Sequence, residues 1–339
     1  MRPSLAVHAN LQHGLVTRSQ ALAAGYTERE LRTLTGHGGG WVTVRRGIYI
    51  RSDEWESLDA REAQPLRRAL AAHLAMTRPH ALSHTSAGLV HGIDMLRPGD
   101  DLVHITRPGV TGSRTEHGVK HHLAHFTQDQ VVDVGGVPTL DLARTAVDIG
   151  REHGYLQGLV ACDSVLQKGA TRAQLLEAVE MMDHWPYVTG ARAAVLDSDA
   201  GAESVGETLT RVLVQSLGLG AVQTQFSVTA RGQTFWVDLR VGRHLIEFDG
   251  RMKYRRSEEG GIANRDPGDV VWSEKMRQDA ICAEGYGMSR VVWNDVWGAA
   301  REETAARLLR EYAETTRRFG TQLPPGYVPV SRHRLRPTA

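Results

Sequence analysis

The sequence predicts an α+β protein of several domains. Three observations carry that reading. The 339 residues exceed what a single hydrophobic core usually organises. Two helix-start signals, a glycine cluster and a hairpin pattern crowd the first 60 residues. From Glu203 onward, helical periodicity alternates with runs rich in aromatic and β-branched residues.

The elements follow in order. Thr17-Arg-Ser-Gln20 and Thr27-Glu-Arg-Glu30 each place a hydroxyl three residues before a Gln or Glu, the spacing of a capping box, so each opens a short helix, with Gly25-Tyr26 as the turn between them. The second helix turns Leu31 and Leu34 inward and stops at Gly36 to Gly40. WVTVRRGIYIR then reads as a hairpin turning at Arg46-Gly47. Helix, turn, helix and hairpin make a winged helix, expected over residues 1–60. Over 61–195 a second α+β domain is expected, with a helix around Leu66 to Met76 and a short one in PHALSHTSAGLVHGI. LVHITRP, VKHHLAHF and QVVDV suggest a small antiparallel sheet, and helices follow through LDLARTAVDIG, LQGLVACDSVLQ and about 172–182. The stretch from His184 to Ala202 lacks aliphatic periodicity and reads as a boundary. The third domain, 196–322, opens with a helix through ETLTRVLVQSLGL and continues with strands VQTQFSV, TFWVDLRV and HLIEFDG. A helix SEKMRQDAICAEG, a strand MSRVVWN and a long helix through EETAARLLREYAETTRR complete it, before a basic tail over 323–339.

Composition excludes more than it selects. Forty basic against 39 acidic residues leave a net charge of +1 and a pI near 8.0, so any nucleic-acid face is a local patch. Cys162 and Cys282 are far apart on helical stretches, which implies neither a disulfide framework nor a cysteine-based zinc site and suits a reducing cytoplasm. The start MRPSLAVHAN lacks the pattern of a cleaved leader, and no apolar run reaches bilayer length, so no membrane partner is expected. No phosphate-cradling glycine loop or nucleophile–base pattern occurs, and no nucleotide cofactor is expected.

The chemistry concentrates in the third domain. Asp238 ends an apolar strand, and Glu247 lies nine positions on, in a strand that returns beside it through Gly242-Arg243. Two carboxylates at one sheet edge offer the oxygen ligands that Mg2+ or Mn2+ takes, with Glu207 on the preceding helix as a third. Asp249, two residues after Glu247, falls on the same strand face, to ligate metal or position water. The following loop carries Arg251, Lys253, Arg255 and Arg256, four cations where a scissile phosphate approaches. Lys275 and Asp279 are an i, i+4 pair on one helix face. At the other end, Arg29 and Arg32 on the second helix point to the major groove of DNA, and Arg45 and Arg46 at the hairpin turn to the backbone or minor groove.

VDLRVGRHLIEFDGRMKY, with Asp238 and Glu247 in the metal-binding positions, together with Glu207, SEKMRQDAICAEGY and RVVWNDVW, resembles the PD-(D/E)XK nuclease superfamily. Within it the likeness is to the group related to very-short-patch repair endonucleases, across roughly residues 203–298. The resemblance implies a restriction-endonuclease-like α/β domain with a central mixed sheet and metal-dependent DNA cleavage. The signature lysine two residues after the second acid is Asp249 here, which leaves Lys253 or Lys275 as the substitute. At the N-terminus, HGLVTRSQALAAGYTERELRTL and WVTVRRGIYI resemble the winged helix of the abortive-infection antitoxin AbiEi, and ALSHTSAGLVHGI with PTLDLARTAVDI resembles the domain that follows it there. In that family the winged helix binds operator DNA and the second domain opposes a toxin. DNA is the implied partner, with a cognate toxin or a second copy of the chain beside it.

Plainer readings stand beside these. The plainer reading of Asp238 and Glu247 is a surface ion pair at a sheet edge, or a nuclease fold without activity, and the four acidic candidates in succession favour the site over it. His117, His121, His122 and His125 read as the polar face of a strand, since no acid or cysteine sits at ligand spacing. Of Trp272, Trp293 and Trp297, each suited to stacking on bases, Trp293 in its apolar strand reads as core.

Overall fold

The protein is α+β, and its two compact units divide between Ser198 and Asp199. The computed structural model describes residues 1–96, 99–108, 112–250, 267–324 and 327. Among these, no helix is long and apolar enough to cross a membrane.

The first unit begins with a helix not foreseen, α1 (Pro3–Leu11), whose Leu5 and Ala9 are buried. A two-residue strand β1 (Val16–Thr17) leads into α2 (Arg18–Ala23) and α3 (Glu28–Thr35). Both capping boxes form: Gln20 N donates to Thr17 Oγ1 over 3.1 Å and Glu30 N to Thr27 Oγ1 over 3.2 Å, with each N3 side chain accepting from its cap's backbone. The hairpin β2 (Trp41–Arg45) and β3 (Ile48–Arg51) turns at Arg46-Gly47, and β1 pairs antiparallel with β3 to make three strands. Leu31, Trp41 and Tyr49 close a small core on α1 and α2.

The opposite side of that hairpin belongs to a larger core. Leu15, Ile48 and Ile50 cluster with Ala69, Leu70 and Ala72 of α5 (Ala63–Ala75) and with Leu82, Val103, Ile105, Val119 and Val137. A short α4 (Ser52–Ser57) joins the two parts. The small antiparallel sheet expected here is instead a six-stranded mixed one. Its strands are β4 (Ala81–Leu82), β5 (Val103–Thr106), β6 (Arg114–Glu116), β7 (Val119–His122), β8 (Val131–Val134) and β9 (Val137–Leu140), in the order β6-β7-β5-β4-β9-β8. β6 and β7 form a hairpin with β7 inside, so β7 returns parallel to β5; β4 and β9 are parallel too. β8 and β9 turn at Gly135-Gly136, both at positive φ as such a two-residue turn requires.

α6 (His84–His91) follows β4, and a helical layer forms from α7 (Leu142–His153), α8 (Tyr155–Gln167), α9 (Arg172–Glu180) and α10 (Val188–Asp197). α10 lies where the sequence lacked aliphatic periodicity. Its buried face is Ala191, Ala194 and Val195, small side chains that let it approach Gly150 and Gly158 where α7 and α8 touch. The fully buried Arg144 donates from Nε to Asp148 Oδ2 over 3.0 Å and from Nη1 to His125 O over 2.9 Å.

The second unit follows the expected order. α11 (Val205–Ser216) precedes β10 (Gln223–Ala230), β11 (Gln233–Val241) and β12 (His244–Asp249); α12 (Pro267–Ala283), β13 (Gly287–Val292) and α13 (Gly298–Phe319) complete it. The sheet runs β10-β11-β12-β13, antiparallel except for β12 and β13, which are parallel because α12 crosses between them. Phe226, Val228, Val237, Leu245, Ile281 and Tyr286 form the core. On the outer strand β10, Tyr327 stacks on Phe226 with ring centroids 5.0 Å apart, and its hydroxyl donates to Ser227 O over 3.1 Å. Gly206 in the first turn of α11 has no room for a Cβ, which would overlap the Phe248 ring of β12. That contact seats the helix start against the end of the strand.

Candidate active site

Three elements of the second unit bring carboxylates into one field. The paired register of β11 and β12 ends at Leu239 opposite Ile246, and one residue further Asp238 replaces the ladder: its Oδ2 accepts from Phe248 N over 2.8 Å. Glu247 is the residue before that donor. Glu207 stands in the first turn of α11, where Ser204 Oγ donates to its Oε1 over 2.8 Å, Glu203 N to its Oε2 over 2.9 Å and Gln225 Nε2 to its Oε2 over 3.3 Å. Burial and the Glu207 charge push Asp238 up to about 7, the Phe248 N–H works against the shift, and Glu247 adds to it. Arg277 opposes the shift in turn.

Glu247 has cationic company that sequence reasoning missed. Arg277 Nη2 donates to Glu247 Oε1 over 2.6 Å and to Trp236 O over 2.8 Å, and Arg290 Nη2 lies 3.9 Å from Glu247 Oε2. Glu274 Oε1 accepts from Arg277 Nη1 over 3.1 Å and from Arg290 Nη2 over 2.6 Å, which ties α12 to β13. The helix thus turns Glu274 and Arg277 toward the sheet, whereas Lys275 and Asp279 are exposed. Arg277 precedes the buried Ile281 by one helical turn, and that apolar phase was the signal available in the sequence. Asp249 is half-buried at the end of β12, in register with Val292. Arg251, Lys253, Arg255 and Arg256 lie outside the described residues.

Trp293 is not core. It opens a 3-10 turn after β13, 43% exposed, with its ring edge-on to Phe248 at 6.0 Å and to Trp297 at 6.2 Å. An apolar strand ending in Trp reads as buried, but β13 ends at Val292, one residue earlier. An exposed aromatic pair therefore stands beyond the end of β13, against the Phe248 ring.

The residues can hold a cation. The donors are all oxygens, half-buried, and burial together with the Glu207 charge disfavours the ionised form of Asp238 in the absence of a cation, a set that suits a hard divalent ion. At the other end of the chain, Arg29 and Arg32 are exposed on α3 and Arg46 is exposed at the hairpin turn. Arg45 is turned back onto its own unit: its Nη1 donates to His117 O over 3.1 Å.

No family model and no curated protein matches this chain. Among solved structures, the crystal structure of the RV2827C protein from Mycobacterium tuberculosis is similar at 18% identity and a TM-score of 0.35, covering 62% of this chain and 81% of that one.

Proposed function

We propose that the protein binds DNA and hydrolyses its phosphodiester bonds with a divalent metal, through the second unit as a restriction-endonuclease-like domain. The observation that carries this reading is the convergence of Asp238, Glu247 and Glu207 from β11, β12 and α11, where burial and the Glu207 charge push Asp238 up to about 7. Asp238, Glu247 and Glu207 hold magnesium or manganese, which when bound acidifies a water and screens the scissile phosphate. Arg277 orients Glu247 and, with Arg290, offers positive charge to a phosphate group. Trp293 and Trp297 supply faces on which bases stack. Lys275, exposed on α12, and Lys253 are the candidates to steady negative charge developing on the phosphate. The segment from α2 to β3 acts as a winged helix that delivers the chain to duplex DNA through Arg29, Arg32 and Arg46. The setting is cytoplasmic.

A second reading has its own observation. The Arg277 guanidinium sits 2.6 Å from Glu247, in the role a metal would otherwise take, and Asp249 occupies the place of the signature lysine. Those features suit a DNA-binding regulator of the AbiEi type, with a toxin or a second copy as partner, whose second unit binds without cutting. Incubating supercoiled plasmid and mismatched or single-stranded oligonucleotides with Mg2+ or Mn2+ separates the two. Metal-dependent cutting that Asp238→Ala and Glu247→Ala both abolish supports the nuclease. Salt-sensitive duplex binding without cutting by any of the three proteins supports the regulator.

A further inference from the structure

A cluster of histidines in the first unit belongs to neither reading. His84 opens α6, His104 lies in β5 and His122 ends β7; all three are buried, and each offers a ring nitrogen within 4.8 Å of the other two. His84 and His122 stack at 3.8 Å between centroids, and His104 Nδ1 lies 2.9 Å from His122 Nε2. The rings meet because β5 is the neighbour of both β4 and β7, and α6 starts two residues after β4 ends. His121, its neighbour in β7, instead accepts from Arg107 Nε over 3.4 Å.

Two features distinguish this cluster from ordinary packing. The Nε2 atoms of His84 and His104, both on side chains with no solvent exposure, have no hydrogen-bond partner among the described residues, and neither has that of His153, whose ring lies 5.7 Å from that of His104. A buried nitrogen left without a partner is costly unless something else satisfies it. His84 also takes a positive φ of 50°, which a non-glycine residue adopts at a cost and which aims its ring inward.

We propose that His84, His104 and His122 bind a divalent transition-metal ion of the zinc class. Three imidazoles with no thiolate suit zinc, cobalt or nickel rather than magnesium. Ser83 Oγ lies 2.9 Å from His84 Nδ1, so it takes that N–H and leaves Nε2 with its lone pair for the ion. Burial holds all three rings neutral, the form that ligates. Zinc at about 2.0–2.1 Å from each nitrogen spaces its ligands roughly 3.3 Å apart, so the rings close in slightly on the ion. Asp100 Oδ1 lies 4.0 Å from His104 Nε2, a negative charge beside the cluster. Of the nearby cations, Lys120 pairs with Glu152, and Arg144 and Arg151 share Asp148. The ion would tie α6 to the centre of the six-stranded sheet, a structural role.

The test uses the full chain, stripped with a chelator and titrated with Zn2+ and with Co2+. The expected result is one zinc per chain in the first unit, a tetrahedral visible spectrum with cobalt, and a rise in melting temperature on adding zinc. His104→Gln and His122→Gln lose all three, Ser83→Ala weakens zinc binding roughly 10- to 100-fold, and Asp238→Ala leaves this ion in place. Folded wild-type protein that takes up neither ion overturns the proposal whatever the variants do. Folded histidine variants that bind as well as wild type overturn it too.

Discussion

Asp238 accepts a backbone N–H while burial, with the charges of Glu207 and Glu247, raises its pKa to about 7, so its charge is unfavourable to the metal-free fold. Its folded value lies above the unfolded one near 3.8, and the penalty therefore grows as pH rises from about 4 to about 7. Asp238→Asn keeps the oxygen that receives Phe248 N–H and removes the charge. The variant is expected to be more stable than wild type by about 2 kcal/mol at pH 8, allowing for the residue's partial contact with water, with the gap closing by pH 4. Urea unfolding without metal, at both pH values, measures this; a less stable Asn variant at pH 8 would sink the argument. His244 carries the opposite sign. It is buried between Thr315 Oγ1 at 2.8 Å and Ser289 Oγ at 2.7 Å, and burial lowers it from 6.5 to about 4. Stability from the neutral ring is present above pH 6.5 and is lost as pH falls toward 4. The stability gap between wild type and His244→Gln should shrink by roughly 3 kcal/mol over that range. The juxtaposition of Asp238 and Glu247 on paired strands was legible because residue type and the turn at Gly242-Arg243 suffice to place them, and Glu207 followed from its helix start. Arg277 was not, since a helix's sheet-facing side depends on packing, and Lys275 two positions away had the more suggestive chemistry.

Among the elements, those with a strong local signal were the ones found. The capping boxes of α2 and α3, the glycine turns, and the strands β10 to β13 each follow from neighbours in sequence. α10 and the parallel pairing of β5 with β7 did not show, because small side chains carry little periodicity and strand order is a long-range property. The histidine cluster was hidden for the same reason: its members come from three elements, and spacing along one strand grouped His122 with His117, His121 and His125 instead. The contact of α11 with β12 rests on Gly206, where an added methyl must displace the Phe248 ring. Gly206→Ala should cost about 1–3 kcal/mol and, in the nuclease reading, shift Glu207 enough to weaken Mn2+ binding. Calorimetry with and without Mn2+ measures both, and wild-type values for stability and affinity would rule this out.

For the whole chain, a net charge of +1 means that affinity for DNA must come from patches rather than from overall attraction. If α3 faces the duplex, replacing Arg29 and Arg32 by Ala removes two phosphate contacts, and the slope of log K against log salt should fall by about 2. Fluorescence anisotropy over a salt series reads this, and an unchanged slope would move the DNA contact away from α3. Arg29, Arg32 and Arg46 are exposed, and so are Trp293 and Trp297.

Tyr327 has a consequence for solubility. β10 is an outer strand, and a strand in that position offers unpaired backbone groups to any other chain. The Tyr327 ring covers Phe226, and its hydroxyl occupies the carbonyl of Ser227, so the end of the chain blunts the row where a foreign strand would add. Ending the chain before Tyr327 should leave the second unit folded around Val237, Leu245 and Ile281 while making it self-associate, an increase in light scattering that a full-length chain carrying Tyr327→Ala should partly reproduce.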